Sequence, residues 1–123
     1  MKRDMDLIRQ MLLKIEEHPY DLDWVELKFE GHSPEEISYH VMLLAQAGLI
    51  EADNLSTLGG PQWKAKSLTW QGQEFLEASK DEGRWNKTKK LVKEKGGGMV
   101  FEVLKTSLIE LAKNAVLSGI KGG

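Results

Sequence analysis

The chain has 123 residues, 41% hydrophobic and 29% charged, with 17 Lys and Arg against 19 Asp and Glu for a formal net charge of −2. A chain of this length buries about two-thirds of its unfolded surface and so holds a core of its own, and its composition is that of a globular domain rather than a disordered one. The absence of cysteine excludes disulfides and thiolate metal sites, and the near-zero charge excludes a global field that would draw the chain onto nucleic acid or an anionic membrane.

The opening MKRDMDLIRQ lacks the apolar run of a secretory leader, which leaves a cytosolic location as the expectation. Met5, Ile8, Met11, Leu12 and Ile15 recur at spacings of three and four, which predicts an amphipathic helix. Asp4 or Asp6 can cap its start, and Pro19 closes it, because the residue before a proline is pushed out of helical geometry. In WVELKFE, residues 24–30, Val25, Leu27 and Phe29 alternate with Glu26, Lys28 and Glu30. That is the period of a half-buried strand, and a short first strand is expected there.

Ser33 precedes Pro34 at the first helical position and Glu36 at the third, a capping box that starts a second helix. Ile37, Val41 and Leu44 share its inner face, and Gly48 can take the left-handed geometry that ends it. Leu49 and Ile50 lead into a strand, NLSTLGGPQ at residues 54–62 forms a turn, and residues 63–69 resume the strand, so a hairpin with a wing-like tip is expected. Thr69 caps a third helix whose apolar content is Trp70, Phe75, Leu76 and Ala78, and Gly83 interrupts it. Trp63, Trp70 and Trp85 are expected in core or subunit contacts.

Residues 84–95 differ chemically: Arg84, Lys87, Lys89, Lys90, Lys93 and Lys95 stand against Glu94 alone. Gly96, Gly97 and Gly98 read as a hinge. Beyond it Phe101, Leu104, Leu108, Leu111 and Ala115 make an apolar stripe, and the helix they predict is too interrupted by charge to span a bilayer. The resulting expectation is a mainly α protein with a small β-sheet: a winged helix-turn-helix domain over residues 1–82, a basic helical segment over 83–95, the hinge at 96–98 and a C-terminal amphipathic helix over 99–119.

The segments MKRDMDLIR, EGHSPEEISYHVMLLAQAGLIEA and LTWQGQEFL resemble an uncharacterised family of small bacterial and prophage proteins, classed as a domain of unknown function, over residues 1–118. Members of that family are similar to winged-helix proteins. The helix ending in AGLI and the Leu-Thr-x-x-Gly of residues 68–72 also resemble bacterial winged-helix repressors more distantly, which implies binding to double-stranded DNA. This sequence departs from those repressors in its charge. From residue 29 to residue 63 there are five acidic residues, Glu30, Glu35, Glu36, Glu51 and Asp53, and no Lys or Arg.

If the second helix reads DNA, its outward face offers Ser38, Tyr39, Met42 and Gln46, of which Ser38 and Gln46 suit base edges and Met42 a thymine methyl. Most affinity for DNA comes from neutralised phosphates, so the phosphate contacts would fall to Lys64 and Lys66 on the wing and to Arg84, Lys87, Lys89, Lys90 and Lys93. The stripe of Phe101, Leu104, Leu108, Leu111 and Ala115 would join two copies into a homodimer. Zinc-binding HExxH, phosphate-cradling GxxxxGK[ST] and the nucleophile elbow are all missing, so no catalytic role, cofactor or metal is expected, and His40 is assigned a structural hydrogen bond. The sequence favours a DNA-binding transcriptional regulator of bacterial or prophage origin, because winged helices with an appended helix most often serve DNA; the alternative on the same scaffold is a protein-interaction module in which the acidic helix and the uncharged wing meet a host protein.

Overall fold

The computed structural model describes residues 1–95, and over them the chain is an α+β protein. Its elements run α1 (Met5–Glu17), α2 (Pro34–Gln46), β1 (Ile50–Asn54), β2 (Trp63–Leu68), α3 (Trp70–Ser79) and α4 (Glu82–Lys95). β1 and β2 form a two-stranded antiparallel sheet with Ile50 opposite Leu68 and Asn54 opposite Trp63. Helix, helix, hairpin and helix in this order are compatible with a winged-helix-like arrangement. The hinge at residues 96–98, the predicted helix of residues 99–119 and the stripe Phe101, Leu104, Leu108, Leu111 and Ala115 lie outside the described residues.

The chain divides into two compact units between Gln73 and Glu74, inside α3. In the first unit α1 packs against β2, and α2 packs against both strands. Their apolar faces meet in a core that includes Leu7, Ile8, Met11, Leu12, Ile15, Val41, Leu44 and Leu49. At about 25 cal/mol per Å² of apolar surface, each fully buried aliphatic side chain stabilises the fold by roughly 1.5–3 kcal/mol. Leu7 is 1% exposed, whereas Met5, expected in the apolar stripe, is only half-buried. The reason is the cap. Asp4 accepts from the Leu7 amide at 3.0 Å, which leaves Met5 at the first helical position and turns Leu7 inward.

α2 begins with half of the expected capping box: Ser33 Oγ accepts from the Glu36 amide at 3.1 Å, while the Glu36 carboxylate contacts His32 Nδ1 in place of the Ser33 amide. It ends on Gly48, whose φ of +75° is costly for a side-chain-bearing residue. The Gly48 amide donates to the Ala45 carbonyl and the Leu49 amide to the Leu44 carbonyl, each at 3.0 Å, the paired bonds of a Schellman motif. That turn delivers Leu49, fully buried, into β1.

Thr69 joins hairpin to helix. Its hydroxyl donates to the Gly48 carbonyl at 2.6 Å and accepts from the Gly72 amide at 3.0 Å, while its own amide donates to the Leu49 carbonyl at 3.0 Å. Gly72 therefore sits so close to β1 that a Cβ there would lie 1.9 Å from the Leu49 carbonyl oxygen. The Leu-Thr-x-x-Gly pattern is thus a strand end, a cap and a close backbone approach. Of the core or subunit contact expected for Trp70, the core is ruled out: at the first position of α3 it is 79% exposed, because a residue just after the cap points away from the packed face.

In the second unit the break between α3 and α4 falls at Asp81 rather than at Gly83. Asp81 Oδ1 accepts from the Arg84 amide at 2.8 Å, so Asp81 caps α4 and Gly83 lies within its first turn. Phe75 and Trp85 are both buried here and meet edge to face, with ring centroids 6.2 Å apart.

Candidate functional site

The strand expected over residues 24–30 shrinks to one bridge. The Val25 amide donates to the Ala65 carbonyl at 2.9 Å, and no further ladder forms. Counting along the antiparallel register from Val25 and Ala65, the next pair would be Leu27 with Trp63. The Trp63 amide is already taken: it donates to Ser38 Oγ of α2 at 3.0 Å. A side-chain hydroxyl has replaced the carbonyl of the missing strand, and residues 26–30 are left without a neighbouring strand.

A cleft of about 840 Å³ opens where that pairing stops. One wall is residues 25–30, the other is the wing from Pro61 to Ala65, and the floor comes from Ile37, Ser38 and Val41 of α2. Side chains along the first wall still alternate as the sequence predicts. Val25 is buried, Leu27 and Phe29 are half-buried, and Glu26, Lys28 and Glu30 are exposed. The apolar side chains line the cleft together with Pro34 and half-buried Trp63.

Carboxylates dominate the rim. Glu26 pairs with Lys28 at 3.0 Å. The hydrogen bond from that ammonium, then its charge, hold the Glu26 carboxyl below its ordinary value, and Lys64 acts in the same direction. Glu30 and Glu35 make no ion pair among the described residues. Lys64 also lines the cleft and stands opposite Asp53 in the sheet register.

The structure splits the face that the sequence presented as continuous. Ser38 lines the cleft with Glu35 and is committed to Trp63, whereas Tyr39, Met42 and Gln46 lie outside the lining. Of these last three only Gln46 is exposed. Lys66 is exposed on β2 away from the cleft. Arg84, Lys87, Lys89, Lys90 and Lys93 all belong to α4 in the second unit, where Arg84 lies 3.8 Å from Asp81 and Lys90 lies 4.0 Å from Glu94. Residues 26–30, the wall of the cleft, were not among the expected site residues; the signal was the alternation itself, which reads as a paired strand.

Beside the cleft, His40 is fully buried and uses both ring nitrogens. Nε2 accepts from the Asp4 amide at 2.9 Å, which requires the proton on Nδ1, and Nδ1–H donates to the Glu36 carbonyl at 2.8 Å. The ring fastens the start of α1 to the first turn of α2, the structural role expected for it. Around that clamp Asp4, His32 and Glu36 each bring one ligand-type atom to within 4.8 Å of the others. His32 Nδ1 and Glu36 Oε1 are in direct contact. Both carboxylates lie at helix N-termini, whose positive ends they complement without any ion.

Among the described residues no helix is long and apolar enough to cross a membrane. The fold and cleft together define a small α+β protein with an incompletely paired hairpin. Residues 2–98 match the family described as "Hypothetical protein (DUF2513)", and the chain belongs to that family. It is also 39% identical over 106 residues to a protein of Haemophilus influenzae described as an uncharacterized protein, covering 85% of this chain and 90% of that one. No solved structure matches it.

Proposed function

We propose that the protein is a non-catalytic, cytosolic interaction module that binds another protein through the cleft between residues 25–30 and the wing. The observation that carries this reading is the chemistry of the lining: half-buried Leu27, Phe29 and Trp63 under a rim on which Glu30 and Glu35 make no ion pair among the described residues and Lys28 is already paired with Glu26. An apolar floor with a charged edge is the anatomy of a protein-binding surface. DNA would instead bring phosphates against carboxylates, which costs affinity rather than supplying it.

The test pairs two measurements on the full chain. Immobilised protein is used to recover partners from a bacterial lysate, with Phe29→Asp as control, and the free protein is titrated with mixed duplex DNA over a salt series. A partner lost with Phe29→Asp, together with absent DNA binding at low salt, is the expected result. Binding of duplex DNA by the wild type that Phe29→Asp weakens would place nucleic acid at the cleft and overturn the reading.

A second reading, a DNA-binding transcriptional regulator of bacterial or prophage origin, rests on α4. Lys87, Lys90 and Lys93 are exposed at three-residue spacing, one stripe of a helix. Two copies joined through the Phe101 to Ala115 stripe would present two such helices to one duplex. On this reading, binding to duplex DNA falls steeply with salt and is lost when the three lysines become Ala. Leu108→Glu would then give monomers on gel filtration.

A further inference from the structure

We propose that the partner enters the cleft as an extended segment that pairs, main chain to main chain, with residues 26–30, and that this segment alternates apolar residues with Lys or Arg. The proposal rests on the interaction reading above and adds how the partner is held and what its chemistry is.

The main chain supplies the first argument. Among the described residues, the only backbone hydrogen bond made by residues 26–30 is the one that the Phe29 carbonyl accepts from His32 at 3.2 Å. Among the described residues the amides of residues 26–30 have no main-chain partner, and in a strand those of Leu27 and Phe29 fall on the edge that the Val25 amide uses toward the cleft. An unpaired edge of this kind is a template for a further strand. Its natural partner is unavailable, because Ser38 holds the Trp63 amide. The cleft is therefore a vacancy in a sheet, bounded by an edge that can pair and an edge that cannot.

The side chains supply the second argument, and they select the segment. An incoming strand points alternate residues toward Leu27, Phe29 and Ile37, a floor that takes aliphatic or aromatic anchors. Its other residues face the rim, where Glu30 and Glu35 carry charge that no cation of the described chain answers. Lys or Arg at those places gains a charge-assisted contact, and Asp or Glu there is repelled. The rim thus sets sequence preference while the main chain supplies affinity.

The experiment uses the full chain and a displayed library of random twelve-residue peptides, followed by calorimetry on enriched peptides and amide hydrogen exchange with and without the best one. The proposal expects enrichment of alternating apolar and basic residues. It also expects, on binding, at least tenfold slower exchange at the amides of Leu27 and Phe29, which share the edge of the Val25 amide, than at those of Glu26 and Lys28, and at least tenfold weaker binding by Leu27→Pro than by Leu27→Ala. That pair separates loss of the amide from loss of the side chain, and the exchange data stand on the wild type if Leu27→Pro fails to fold. Peptides that bind and are lost with Phe29→Asp, but leave exchange at the Leu27 and Phe29 amides unchanged, overturn strand pairing while the cleft reading survives. A library that enriches nothing overturns both, and enriched peptides that bind as helices or carry acidic residues at the rim overturn this proposal alone.

Discussion

Two residues show how much of this fold hangs on single atoms. His40 is a fully buried ring with one donor and one acceptor, and each meets a backbone group of a different helix. His40→Leu keeps most of the volume but leaves the Asp4 amide unsatisfied and removes the second bond to the Glu36 carbonyl, which retains its helical one, a loss of about 1–3 kcal/mol. Urea denaturation should show a lower midpoint with an unchanged slope. Gly72 is constrained by distance, not by dihedral angle. A Cβ at 1.9 Å from the Leu49 carbonyl oxygen cannot be relieved by a rotamer, because the atom it meets is backbone. Gly72→Ala should destabilise by about 2–3 kcal/mol through overpacking. A melting temperature within a degree of the wild type would show that α3 shifts freely on β1. The sequence displays the Leu-Thr-x-x-Gly pattern but not its cause, since the close approach exists only once Leu49 and Gly72 are neighbours.

At the scale of elements, what could be read in the sequence is what local chemistry decides. The α2 start follows from Ser33, Pro34 and Glu36, three residues that act on one another, and its end follows from Gly48. Ser33→Ala should cost about 1 kcal/mol, measured by chemical denaturation, because Pro34 already lacks one of the amides that need a cap. The strand over residues 24–30 failed for the complementary reason. Alternation reports which side chains are inward, and that is observed; it does not report whether a neighbour is free to pair. That depends on Ser38, 25 residues before Trp63 in the chain. The site was hidden for the same reason: Glu26, Leu27, Phe29 and Glu30 read as an ordinary strand until the ladder beside them is found missing. The exposure of Trp70 and the position of the break before α4 differ from the core position and the Gly83 break that the sequence suggests, because caps, at Thr69 and Asp81, outrank the apolar or glycine content around them.

For the whole molecule the decisive quantity is where charge lies, not how much there is. A formal charge of −2 says little, but the exposed lysines Lys87, Lys90 and Lys93 of α4 belong to one unit and the carboxylate rim belongs to the other. The rim can be inverted without touching the core. Glu30→Lys combined with Glu35→Lys should leave the melting temperature within a few degrees of the wild type. It should also create binding to duplex DNA at low salt, read by fluorescence anisotropy, because phosphate contacts are then available at the cleft. The same variant should lose a basic partner. If DNA affinity is unmoved by the exchange, the cleft is not exposed to a duplex at all.

The bond from the Trp63 amide to Ser38 has a consequence for competition. On the proposed reading, a foreign strand at residues 26–30 has a rival in the same chain, β2, held beside it by the Val25–Ala65 bridge and present at the high effective concentration of any intramolecular ligand. The Ser38 hydroxyl disarms that rival. Ser38→Ala frees the Trp63 amide to take the Leu27 carbonyl, so the sheet closes on itself and the Leu27 amide becomes protected with nothing bound. Such a variant would be at least as well folded as its parent and deaf to its partner, its receptor site consumed by self-recognition.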